Sequence, residues 1–219
     1  MLMASGTVIK KIIDDDVFCY EAIRLCKTYM LQHPEVDVVI SNDLSSILND
    51  HQNIHILSRL PQFEKWKSGL SRSFTFSDVN MLIKRSALAY IGLYNTDFVM
   101  MDWEYSLRIS HLKAEIAYYT GYNSLSVGHP ETVTSLKNNE LIKTQGQRGA
   151  AFYEYEGDGS DITLWSKIKI VIGKALYRIK TVSDASQPPV NDIDAVYGYY
   201  NDYILKLNCS QQFNFFRGG

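Results

Sequence analysis

Short apolar runs alternate with longer stretches in which apolar residues recur at helical spacing. Thr7 to Ile13 is a β-branched run broken by Lys10 and Lys11, and it reads as a strand running into Asp14-Asp15-Asp16. Tyr20 to Gln32 reads as a helix with Ala22, Ile23, Cys26, Met30 and Leu31 on one face, stopped by His33-Pro34. Val36 to Ile40 is apolar nearly throughout, the pattern of a strand covered on both faces. Asp43 to Gly69 is polar and reads as loop, with one helix near Gln62 to Ser68. Phe74 to Phe76 reads as a strand, and another ends near Ile83. A helix is expected from Ser86 as N-cap to Gly92 as terminator. Asp102 to Ser110 follows as a helix with Leu107 and Ile109 inward, then strands over Glu115 to Thr120 and Leu125 to Val127. Thr132 to Tyr153 is expected to be mostly helical, and Gly157-Asp158-Gly159-Ser160 is a break. Thr163 to Lys180 carries Trp165, Ile168, Ile172, Ala175, Leu176 and Ile179 on one helical face and five basic residues elsewhere. Ser183 to Pro189 is linker-like, and the remainder is rich in Tyr and Asn. Strands alternating with helices predict an α/β domain with a mostly parallel sheet, in which a ligand sits beyond the strand C-termini. The breaks divide the chain into a domain over 1–156 and a helical extension over 157–219.

Composition narrows the class of function. With 46% hydrophobic and 21% charged residues the chain can bury a core, and a net charge of −2 gives nucleic acid no bulk attraction. Cys19, Cys26 and Cys209 are odd in number and form no C-x-x-C pair, so they read as reduced thiols of a cytoplasmic chain. Met1 to Lys11 lacks a leader pattern, and no apolar run reaches the roughly 18 residues a membrane span needs.

Three groups of residues carry candidate chemistry. Asp14-Asp15-Asp16 is either a solvated acidic turn before a helix or a cation site. In the second case Asp14 and Asp16, pointing the same way, would share a hard divalent ion that also holds a diphosphate. Asp102 and Glu104 lie at a helix start, with Arg108 at i,i+4 from Glu104. They are an ordinary acidic helix start with an ion pair, or Asp102 is a general base that takes the proton of an attacking hydroxyl. Gly128-His129-Pro130 offers one imidazole after a strand, a loop residue or a metal donor.

In order along the chain these pieces resemble the inverting family 2 glycosyltransferases. The matching stretches are Ile12-Ile13-Asp14-Asp15-Asp16-Val17, then His33 to Val39. Met81-Leu82-Ile83-Lys84-Arg85-Ser86-Ala87-Leu88 with Ile91-Gly92-Leu93-Tyr94 follows, then Asp102-x-Glu104 with Arg108, and His129. The resemblance covers about Thr7 to Tyr155, and the Asp-x-Glu…Arg form leans toward the rhamnosyl- and galactofuranosyl-transferase-like members.

The resemblance implies a GT-A fold, a Rossmann-like α/β domain, and a transfer from a nucleotide-sugar donor to a glycan or lipid-linked acceptor with inversion. Asp14, Asp15 and Asp16 would hold the donor diphosphate. Asp14, Asp16 and His129 would ligate Mg²⁺ or Mn²⁺. Asp102 would be the base, with Glu104 and Arg108 on the acceptor side. The family's nucleotide-binding strands precede the acidic motif, and only about a dozen residues do so here, so the expectation is an N-terminally truncated domain. The Thr163 to Lys180 stretch would suit either packing on the domain or an interfacial position at the inner face of the cell membrane, where a lipid-linked acceptor lies. A non-catalytic chain that binds metal or a partner is the alternative. A metal-dependent phosphotransferase or hydrolase ranks last, because no P-loop or nucleophile motif is present.

Overall fold

The computed structural model describes residues 4–128, 139–157, 192–210 and 212–218. In chain order the first elements are β1 (Val8–Lys10), β2 (Val17–Phe18), α1 (Tyr20–Gln32), β3 (Val38–Ser41), β4 (Asp43–Ile47), β5 (His55–Leu57) and α2 (Leu60–Lys67). Then come β6 (Met81–Lys84), α3 (Leu88–Ile91), α4 (Met101–His111), β7 (Ile116–Tyr119), β8 (Ser124–Gly128), α5 (Asn139–Phe152), α6 (Ile193–Cys209) and β9 (Phe215–Arg217).

The fold is α/β with two mixed sheets, ordered β1-β6-β3-β7-β9 and β2-β8-β4-β5. Parallel pairing occurs at β3 with β7 and at β4 with β8; the other five ladders among the described residues are antiparallel. The sheets are thus mixed where the alternation of elements had suggested mostly parallel strands. Alternation cannot see that β6, β5 and β9 reverse direction.

Side-chain alternation makes the first sheet the centre of a three-layer packing. Val39, Leu82, Ala117 and Tyr119 face one core, with Ala22, Cys26 and Met30 of α1 and Tyr200 and Ile204 of α6. Val38, Ile40, Met81, Ile83, Ile116 and Tyr118 face the other, with Phe63 and Trp66 of α2 and Tyr105 and Ile109 of α4. Both faces being covered explains why Val38 to Ile40 is an unbroken apolar run. Of the face expected on α1, Ala22, Cys26 and Met30 are buried and Leu31 is exposed.

Several elements depart from expectation for local reasons. The first strand is three residues long, and Asp14 to Asp16 lie in a turn after it, with the Asp16 amide donating to the Ile13 carbonyl at 3.3 Å. The polar stretch Asp43 to Gly69 contains β4 and β5. Ser46 sits at a buried β4 position because its hydroxyl donates to the Asn53 carbonyl at 3.2 Å and accepts from Tyr200 at 3.1 Å. The helix expected over Gln62–Ser68 starts two residues earlier, with Pro61 in its first turn. Phe74 to Phe76 is not a ladder strand. The Phe74 amide and carbonyl are both satisfied by the Ser110 hydroxyl, each at 3.0 Å. Ser86 is not an N-cap; it lies within a 3-10 turn that runs into α3, which Gly92 ends.

The C-terminal residues are part of this fold. α6 buries Val196, Tyr200 and Ile204, and β9 pairs with β7 in the register Ala117↔Arg217. Through these described residues, the 157–219 stretch contributes to the same sheet and core. His129, Thr132 to Asn138, Thr163 to Lys180 and Ser183 to Pro189 lie outside the described residues. Among the described residues no helix is long and apolar enough to cross a membrane.

Candidate active site

The acidic turn is held from two sides. Asp16 Oδ1 accepts from the Val127 amide of β8 at 2.9 Å. Tyr197 of α6 donates its hydroxyl to the Asp15 carbonyl at 2.8 Å. Asp14 is exposed, while Asp15 and Asp16 are half-buried. Two open depressions flank the turn. One of about 470 Å³ runs past Asp15, Asp16, Ser45, His55 and Ser126; one of about 590 Å³ lies between Asp14, Asp15, Asp194 and Tyr197.

Behind the turn sits a group that the sequence did not single out for chemistry. Asp78 opens a 3-10 turn over Asp78–Asn80 and is 4% exposed. It pairs with Lys11 Nζ at 2.6 Å and accepts from the Tyr94 hydroxyl at 2.8 Å. Neighbouring polar side chains clamp the turn. Ser124 donates to the Val79 carbonyl at 2.8 Å and Asn123 to the Asn80 carbonyl at 2.9 Å, and Lys10 donates to Val79 and, at 2.9 Å, to Asn123. These bonds anchor a buried carboxylate where an isolated one would be costly. The sequence signal was faint: Asp78 and Asn80 are polar residues between apolar Phe76 and Met81, a placement that burial would make expensive without partners.

Electrostatics ties Asp78 to both predicted acidic groups. Burial pushes Asp16 up to about 6. The Val127 amide opposes the rise, Asp15 and Asp78 add to it, and Lys11 draws it down. Asp102, second residue of α4, is also raised, first by burial and then by the charge of Asp78, against the Trp103 amide and Lys11. Asp16 and Asp102 thus both feel the Asp78–Lys11 pair, although 86 residues separate them in the chain. Lys10, at the back of the cluster, is pushed down to about 7 by burial, with Cys26, Asp78 and Asp16 pulling the other way.

Glu104 and Arg108 form the i,i+4 ion pair that was one of the two readings of this helix start. Glu104 is 1% exposed. Its two carboxylate oxygens receive Arg108 Nε at 3.0 Å and Nη2 at 2.5 Å, and the Tyr153 hydroxyl donates to Oε1. Arg108 Nη1 donates to the carbonyls of Ile91 at 3.1 Å and Leu93 at 2.8 Å. This fork braces the segment that delivers Tyr94 to Asp78.

The donor set at the turn is oxygen only, which fits a hard divalent ion. Burial and the neighbouring charges of Asp15 and Asp78 disfavour the Asp16 carboxylate, and a bound cation would favour it. Among the described residues no three His, Cys, Asp or Glu side chains stand together as a complete metal cage. An ion held here would draw on one or two carboxylates and on a bound diphosphate and water, the usual manner of Mg²⁺. His129, expected as a further ligand, lies outside the described residues.

A scan against protein-family models finds none that matches the chain, and a search of curated proteins finds no match either.

Proposed function

We propose that this chain is an inverting glycosyltransferase of the GT-A, family 2 kind, moving a sugar from a nucleoside diphosphate donor to a glycan or lipid-linked acceptor. The observation that supports the proposal is the Asp78–Lys11 ion pair, whose charges act on both Asp16 and Asp102.

In the reaction, the Asp102 carboxylate accepts the proton of the acceptor hydroxyl as its oxygen attacks the anomeric carbon. The bond from that carbon to the diphosphate oxygen breaks, and its electron pair leaves with the nucleoside diphosphate. Burial and the charge of Asp78 raise the pKa of Asp102, which makes its carboxylate a stronger base. Asp14 and Asp16 would hold a Mg²⁺ or Mn²⁺ ion, whose chemistry would be to offset charge on the departing diphosphate. Lys11, paired with Asp78, favours the ionised forms of Asp16 and Asp102 against the opposing effects of burial and of the Asp78 charge.

Release of nucleoside diphosphate from a panel of nucleotide sugars, with Mn²⁺ and a mixture of glycan and polyprenyl-linked acceptors, tests this. Asp102→Asn should lower transfer by about 10²- to 10⁴-fold, the range for loss of a general base, while donor binding persists. Full transfer by that variant would remove Asp102 from the chemistry. Cation binding without turnover of any donor would instead favour a non-catalytic binding protein.

A further inference from the structure

We propose that Tyr197, on the C-terminal helix α6, is a positioning residue that holds the Asp14–Asp16 turn in its cation-binding shape; this rests on the functional reading above. The Tyr197 hydroxyl donates to the Asp15 carbonyl at 2.8 Å, joining residues 182 apart. That bond sits at the middle of the acidic turn, between the two carboxylates assigned to the ion. The opposite side of the turn is fixed by the Val127 amide on Asp16, so the two bonds together restrain the backbone and one side chain.

The helix that carries Tyr197 is itself firmly seated. Asp192 caps its first turn by accepting from the Ala195 amide at 2.9 Å. Tyr200, fully buried, donates to Ser46 Oγ at 3.1 Å, and its ring meets that of Tyr197 edge-on, with centroids 6.0 Å apart. At the far end, Asn208 donates to the Tyr122 carbonyl at 2.8 Å and accepts from its amide at 3.1 Å. A hydroxyl carried on a helix seated in this way can impose a fixed position on a turn of three adjacent like charges. The first turn of α6, with Ile193 and Asp194, also forms one wall of the depression beside Asp14. The helix is therefore a working part of the site.

The test compares the full chain with Tyr197→Phe, which keeps the ring and removes the hydroxyl, and with Asn208→Ala, which loosens the same helix at its other end. Mn²⁺ affinity is read by electron paramagnetic resonance, and amide hydrogen exchange is followed over residues 14–17 in metal-free protein. Tyr197→Phe should weaken Mn²⁺ binding by about three- to tenfold, the range one net hydrogen bond supports, and should speed exchange in the turn. Asn208→Ala should lower the melting temperature yet leave Mn²⁺ affinity unchanged, which a merely structural role for the helix would not produce. Equal Mn²⁺ affinity in the parent and Tyr197→Phe overturns the proposal. If the parent binds no Mn²⁺, the functional reading fails on its own, and exchange then decides Tyr197: unchanged rates overturn its positioning role and faster rates uphold it.

Discussion

Asp16 costs the folded protein stability wherever it is charged. Its folded pKa of about 6 lies above the ordinary 3.8. Between those values the unfolded chain has released a proton that the folded chain keeps, so this contribution to stability falls as pH rises through 6. Asp16→Asn keeps an oxygen for the Val127 amide and removes the charge. It should raise stability at pH 7 by on the order of 1 kcal/mol, a figure discounted for partial contact with water, and have little effect near pH 3. Melting curves at the two pH values check this. The acidic turn and Asp102 were legible because their residue types and spacing are themselves the signal. Asp78 was not legible, since its meaning depends on meeting Lys11 and Tyr94 across 67 and 16 residues. The Glu104–Arg108 pair was legible from its i,i+4 spacing, whereas the bond from Tyr153 to Glu104, across 49 residues, was not. Glu104→Ala leaves Arg108 without its carboxylate partner and should cost about 3 kcal/mol in urea unfolding, as expected when one member of a buried pair is removed.

At the scale of elements, the segment between α3 and α4 depends on one backbone conformation. Gly92 has φ +82° and ψ −168°, a region open in practice only to glycine. A Cβ there would lie 3.2 Å from Arg108 Nη1, the group that fixes the Ile91 and Leu93 carbonyls. Gly92→Ala should destabilise the protein by about 1–3 kcal/mol in denaturant unfolding and loosen the contact of Tyr94 with Asp78. The helices α1, α2 and α4 were readable within a few residues, because their apolar spacing is local. The edge pieces were not. β4 carries a buried serine whose partners lie on other elements, and Phe74 takes its hydrogen bonds from a side chain of α4. The Tyr200 partner of Ser46 and the Ser110 partner of Phe74 lie 154 and 36 residues away, outside any local window.

For the whole molecule, the central sheet is covered by α1 and α6 on one face and by α2 and α4 on the other. That arrangement buries Lys10 and brings its pKa down to about 7 from 10.5. Between those values the unfolded chain holds a proton that the folded chain has shed, so this contribution to stability rises with pH. Together with Asp16, which acts in the opposite sense below 6, it should give a stability minimum between about pH 6 and 7, located by urea titrations across pH 4 to 10. Lys10→Met should remove the rise above pH 7. The sequence suggested an α/β protein but divided it at residue 156, because the Gly-rich break is local. The return of α6 and β9 to the same core depends on contacts such as Ala117↔Arg217, which have no local signature.

The central claim is that the Asp14–Asp16 turn and Asp102 form one cation-dependent diphosphate site. Calorimetric titration of the full chain with nucleoside diphosphates, with and without Mn²⁺, addresses it most directly when run on the parent and on Asp16→Asn. Binding by the parent that requires Mn²⁺ and is lost in Asp16→Asn is the predicted result. Binding that ignores Mn²⁺, or that survives unchanged in Asp16→Asn, would contradict it.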